Sequence, residues 1–200
     1  ENEISTYSSS HNTSRLQLIY PSRNSEGESI IGSYLGMRSS LGLTSSPMRK
    51  QLASQNNLAH TLSEAEMVGL VSQRINPVSD ERNGSRVIED MTTAADDNVE
   101  EVNMRQGIAR LIVDYITLVV RNVSDKFIGE LNTVSARNAL RNIIRSELKD
   151  MLELNTILAY TVSVQEIDSM TASVDVGIKS VAPLRNIEAN VTAGEVDVSA

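Results

Sequence analysis

The chain has 200 residues, 40% of them apolar, which is enough for one domain with its own core, and no apolar run approaches the ~18 residues of a membrane-spanning helix. A net charge of −8, with one Phe and no Trp, speaks against a nucleic-acid binder, which needs a basic surface and aromatic platforms for bases. The absence of cysteine removes disulfides, thiolate zinc sites and cysteine nucleophiles together.

His11 and His60 stand in polar surroundings without a second ligand at metal spacing, and no phosphate-binding loop is present. No metal, cofactor or enzymatic site is therefore expected. The sequence opens at Glu1 with no methionine and no basic-then-apolar leader, and reads as a fragment lacking an N-terminal portion.

Residues 1–14 are polar, Ser-rich and aperiodic, and are expected to form a loop or the tail of a missing element. Arg15-Leu16-Gln17-Leu18-Ile19-Tyr20, stopped by Pro21, reads as a short buried strand. Residues 28–37 place Ile30, Ile31, Tyr34, Leu35 and Met37 near helical spacing, with Gly32 and Gly36 as a small-residue face for close packing. Residues 39–57 read as an irregular surface excursion.

Ser63, three residues before Glu66, has capping-box spacing and predicts a helix over 64–73 that buries Met67, Leu70 and Val71. Asn83-Gly84 predicts a tight hairpin between strands at 75–78 and 86–90, because both residues accept positive φ. Asp96, Asp97, Glu100 and Glu101 form an acidic loop.

Two long amphipathic helices follow. The first is expected over 103–128, with Ile108, Leu111, Ile112, Tyr115, Ile116, Val119, Val120, Val123 and Phe127 on one stripe and Gly129 as its C-terminal cap. The second, capped by Thr133 or Ser135, runs to about 154 with Leu140, Ile143, Ile144, Leu148 and Met151 facing the core. Along it Arg137, Arg141, Arg145 and Lys149 recur every four residues beside the apolar face. Such a row is either a solvated face or a docking edge. In a chain of net charge −8, its concentration on one helix points to an acidic partner.

Tyr160, Val162 and Val164, then Ala172, Val174, Val176 and Ile178, alternate with polar residues as two half-buried strands. After Pro183 the alternation resumes as Ile187, Ala189, Val191 and Ala193 and changes phase at Gly194 to Val196 and Val198. An apolar, extended terminus of this kind suits main-chain pairing between subunits. The fold class is α+β (mixed α/β), divided into a polar segment 1–14, a core domain 15–182 and an extended arm 183–200.

This order of features resembles the contractile tail sheath proteins of phages and related contractile injection systems, specifically their C-terminal part. The resemblance runs from Arg15-Leu16-Gln17-Leu18-Ile19-Tyr20 through Leu62-Ser63-Glu64-Ala65-Glu66, Arg74-Ile75-Asn76-Pro77-Val78 and Val87-Ile88-Glu89-Asp90-Met91-Thr92-Thr93. It continues through Lys126-Phe127-Ile128-Gly129 to the strands Val176-Gly177-Ile178 and Ile187-Glu188-Ala189.

The resemblance implies a virion structural subunit, assembled in the host cytoplasm into stacked hexameric rings around an inner tail tube, between baseplate and tail terminator proteins. It would contract to drive the tube through an envelope, with neither nucleic acid nor membrane as a partner. It further implies a sheet completed by strands from neighbouring subunits. The tube-facing role falls to Arg137, Arg141, Arg145 and Lys149, and the donated strand to Ile187, Ala189, Val191, Val196 and Val198. The rival reading is a non-contractile baseplate or adhesin-like module that also assembles by strand exchange.

Overall fold

Residues 2–53, 57–95 and 102–181 are described by a computed structural model of the chain. The first part comprises helices α1 (Asn2–Ser10), α2 (Ile31–Leu41) and α3 (Glu64–Ser72), with strands β1 (Ile19–Tyr20), β2 (Asn76–Glu81) and β3 (Gly84–Val87). The strands form a sheet of order β1-β2-β3, in which β1 runs parallel to β2 and β2 antiparallel to β3. The outer edge of β3 is covered by residues 49–52: Arg49 and Leu52 donate to the carbonyls of Val87 and Ser85, and Val87 donates to Lys50. Two small clusters fill the interior, one of Ile30, Tyr34, Leu52, Leu58, Val78 and Val87 and one of Leu62, Leu70 and Ile75.

Helix α3 starts where its capping box requires. The Ser63 hydroxyl accepts from the Glu66 amide at 3.3 Å, and the Glu66 carboxylate accepts from the Ser63 amide at 2.7 Å. It ends in a paired C-terminal motif: Arg74, at φ 63°, donates to Val71, and Ile75 donates to Leu70. Arginine tolerates this left-handed position because its guanidinium bonds the Thr93 carbonyl at 2.9 Å.

Four sequence expectations change here. Asn2–Ser10 is helical, not a loop, and the Ser-rich run is held locally as Ser9 and Ser10 donate to the carbonyls of Thr6 and Tyr7, while the Ser8 hydroxyl reaches Gln73. The strand at Arg15–Tyr20 shrinks to two residues, its preceding carbonyls being taken by Thr93 and Asn76. Gly32 and Gly36 face open space, so they mediate no close packing within the described residues. The hairpin loop is Arg82-Asn83, since Gly84 already pairs with Glu81 and alone in the turn takes positive φ, 115°.

The second part comprises α4 (Gly107–Ser124), α5 (Val134–Glu153), β4 (Ile157–Asp168) and β5 (Thr171–Ser180). Helix α4 is shorter than the expected 103–128 because Gln106 is extended and bridges Met91; 3₁₀ turns at Val102–Arg105 and Asp125–Phe127 flank it. Gly129, at φ 95°, turns the chain out of it. Thr133 caps α5 by accepting from the Ala136 amide at 3.2 Å. Asn155, at φ 54°, closes its far end with Thr156 donating back to Met151.

β4 and β5 form an antiparallel hairpin in register Tyr160↔Ile178, Val162↔Val176 and Val164↔Val174. These side chains pack on one cluster with Ile108, Ile112, Ile116, Leu140, Ile144, Leu148 and Met151. Ile143 and Tyr115, expected in the core, are exposed at 39% and 43%, because each sits at the edge of its stripe with nothing packed beyond it.

The two parts meet at Asp90, which is 1% exposed. Its Oδ1 accepts from Arg38 Nη1 and Gln17 Nε2, both at 2.8 Å, and its Oδ2 from the Ser46 hydroxyl at 2.9 Å. The Asp90 carbonyl accepts from the first amide of α4, Gly107, at 3.1 Å. A side chain at position 107 would overlap the Asp90 carboxylate and the Gln17 amide, which explains glycine there. Tyr34, in contact with the same carboxylate and with Gln17 Oε1, has its phenol pushed up to about 12 by burial and by the negative charge of Asp90.

Candidate interaction surfaces

Helix α5 does not present its cations equally. Arg137 lies at the edge of the core with its side chain 15% exposed, bonded to Glu166 of β4 at 2.8 Å and to Asn132 Oδ1 at 2.7 Å. It positions the hairpin against the helix. Arg141 bonds Asn138 Oδ1 at 2.6 Å, and its Nε is buried without a partner among the described residues. Lys149 has an exposed partner one turn on, Glu153 at 3.5 Å. Arg145 is exposed and has no hydrogen bond or ion pair among the described residues.

At about 100° per residue, Val134, Asn138, Arg141, Arg145, Lys149 and Leu152 share a strip about 80° wide, while Glu147, Asp150 and Glu153 lie outside it. The strip is thus free of acid, and it carries exposed apolar residues, Val134 and Leu152, at its ends. Exposed pairs such as Lys149 with Glu153 contribute little to stability, so these charges are available to a partner.

The hairpin supplies a second surface. Neither the outer edge of β4 nor that of β5 is paired with another strand among the described residues. Between α4 and β5 runs an open groove of about 760 Å³, lined by Val113, Ile116 and Val120 on one side and Val174, Val176 and Ile178 on the other. A second groove of about 290 Å³ lies at the hairpin tip between Phe127, Leu131, Leu140 and Met170. Its rim is apolar: Ile128, Leu131 and Met170 are all more than 80% exposed. Asn132 fixes this tip by donating to the Asp168 carbonyl at 2.9 Å, and the Asp168 carboxyl is held below its ordinary range chiefly by the Met170 amide.

Ile187, Ala189, Val191, Val196 and Val198 lie outside the described residues, as does the acidic loop of Asp96, Asp97, Glu100 and Glu101. His60 contacts Glu66 at 3.7 Å, and His11 stacks on Tyr7. No group of three His, Asp or Glu able to hold a metal ion occurs among the described residues, and none of their helices is long and apolar enough to cross a membrane. Reasoning from sequence missed Asp90 and Glu166, whose partners lie tens of residues away.

No protein-family model and no curated protein matches the sequence. Solved structures do match in three dimensions. A chain of the anti-feeding prophage baseplate superposes with TM-score 0.76 and 18% identity over 92% of this chain. A chain of an extracellular contractile injection system, the PVC sheath complex in its contracted state, gives 0.76 and 16%, also over 92%. The fold is that of contractile sheath proteins.

The sheath tail protein of Desulfitobacterium hafniense shares this sheath fold at TM-score 0.55 and 13% identity over 70% of the chain. The present chain spans only part of the length of these structures, 56%, 58% and 37% respectively. Within the sheath fold, the α4–α5 pair and the β4–β5 hairpin place the basic strip and the unpaired strand edges on one body.

Proposed function

We propose that the chain is part of a structural subunit of a contractile sheath, a homo-oligomer polymerised in hexameric rings around an inner tube in a phage-tail-like particle. The observation that carries this reading is the sheath fold extending over 92% of the chain. In this role residues 15–182 form the core domain and 183–200 the arm. The helix strip of Arg141, Arg145 and Lys149 faces an acidic tube, with Arg137 holding the strip's helix to β4. The segment with Ile187, Ala189, Val191, Val196 and Val198 adds a strand to a neighbour's hairpin edge. No catalytic residue is needed, because contraction is a change between two packings of the same interfaces.

Main-chain pairing tolerates side-chain movement and therefore serves as a hinge during contraction, whereas exposed charge contacts break and re-form. Negative-stain microscopy of the purified full-length protein, alone and with its tube, tests the reading. Long hollow tubes with a regular helical rise are expected; small discrete oligomers under all conditions would overturn it in favour of a non-contractile baseplate or adhesin-like module. Arg141→Glu with Arg145→Glu should weaken assembly on tubes while leaving the fold intact. Unchanged binding would remove the strip from the tube interface.

A further inference from the structure

The groove between α4 and β5, of about 760 Å³, lies beside the edge of β5 that no other strand pairs with among the described residues. β4 rests on α5, whereas β5 leaves part of the flank of α4 open: Val113 and Val120 line the groove half-buried, on either side of the buried Ile116. An uncovered edge next to an apolar floor is an aggregation hazard for an unassembled chain.

We infer that before assembly this groove is filled by the chain's own residues 186–193, folded back as a third strand antiparallel to β5. β5 ends at Ser180, and the 182–200 segment that follows is long enough to return. Residues 182–185 match the 2–5 residues typical of a hairpin loop, and the eight residues after them span about 26 Å, within the length of β5. One face of that strand carries Ile187, Ala189, Val191 and Ala193, which meets the apolar floor; the other carries Glu188, Asn190 and Thr192, which meets water.

The same contacts made with a neighbour would be a strand swap, and this consequence rests on the sheath reading above. A tethered strand competes at an effective concentration of order millimolar, so it holds the groove in a dilute monomer and yields when neighbours are ordered alongside.

The chain contains no cysteine, so a designed pair reports cleanly. In the full chain, Val113→Cys with Ala189→Cys and, separately, Thr117→Cys with Val191→Cys are oxidised at low protein concentration. Products are then read by non-reducing electrophoresis and peptide mass spectrometry. A disulfide within one monomer in either variant is the expected result; exclusively inter-chain disulfides, or none in both variants, would overturn the inference. The oxidised variant should also fail to polymerise until reduced, and polymerisation undiminished by the lock would overturn the competition between the two positions. Because the disulfide is read in the monomer, its absence leaves the tube-forming reading intact. Absence of tubes from reduced protein removes that reading without altering the disulfide result.

Discussion

In residues 16–95 the apolar clusters are small and the polar side chains between them are sealed: Asn76, Ser85, Asp90, Thr92 and Thr93 are each at most 1% exposed. Asn76 is typical, donating to Leu18 and Met91 and accepting from the Met91 amide at 2.6 Å. In residues 107–180 the balance reverses. One continuous apolar cluster joins two helices and a hairpin, and Thr156 is the buried polar residue there among those described. A core built on directional bonds has one arrangement, because any shift leaves a buried donor or acceptor unpaired. A core built on apolar stripes is not tied to one arrangement in this way, and this is the half that carries the basic strip and, among the described residues, the unpaired edges of β4 and β5.

That contrast can be broken at its junction first. Asp90→Ala leaves the Arg38 guanidinium without its carboxylate and should cost about 3–5 kcal/mol by chemical denaturation. A loss under about 1 kcal/mol would mean that the polar network is dispensable. In the apolar half, Ile144→Ala should cost about 2–5 kcal/mol, while Ile143→Ala one position earlier costs a fraction of that, since Ile144 is 0% and Ile143 39% exposed. Equal effects would contradict the observed orientation of α5. Gly107→Ala forces the Asp90 and Gln17 side chains apart and should cost about 1–3 kcal/mol, again read by denaturation.

A pH titration sharpens the comparison. The Tyr34 phenol is raised in the fold above its ordinary value near 10, to about 12, so the protonated form is favoured by folding. Its stabilising contribution is complete below pH 10 and is lost as pH rises through about 12. Tyr34→Phe should flatten the denaturation midpoint across that window; an unchanged slope would place the alkaline sensitivity elsewhere. The smallest effect belongs to the cap of α3, where Ser63→Ala should cost about 1 kcal/mol in denaturation.

Legibility in the sequence follows the range of the interactions. The capping box at Ser63 and Glu66, the Thr133 cap and the alternation of Tyr160, Val162 and Val164 rest on contacts within a few residues, and they appear where expected. The helix at Asn2–Ser10 was hidden because serine competes for backbone bonds, and Ser8 finds its partner in the distant carbonyl of Gln73. The left-handed Arg74 was hidden because its compensation comes from Thr93.

The sequence by itself determined the elements of the helix pair and hairpin and which face of each is apolar, since periodicity and caps are local properties of the chain. It also placed Arg137, Arg141, Arg145 and Lys149 in one row. Tertiary structure decided what that row is: Glu166, brought over from β4, takes Arg137 into the packing, while Arg145 keeps its charge in water. The reason is electrostatic. A cation's role depends on the nearest opposite charge in space, and that neighbour lies 29 residues away in the chain.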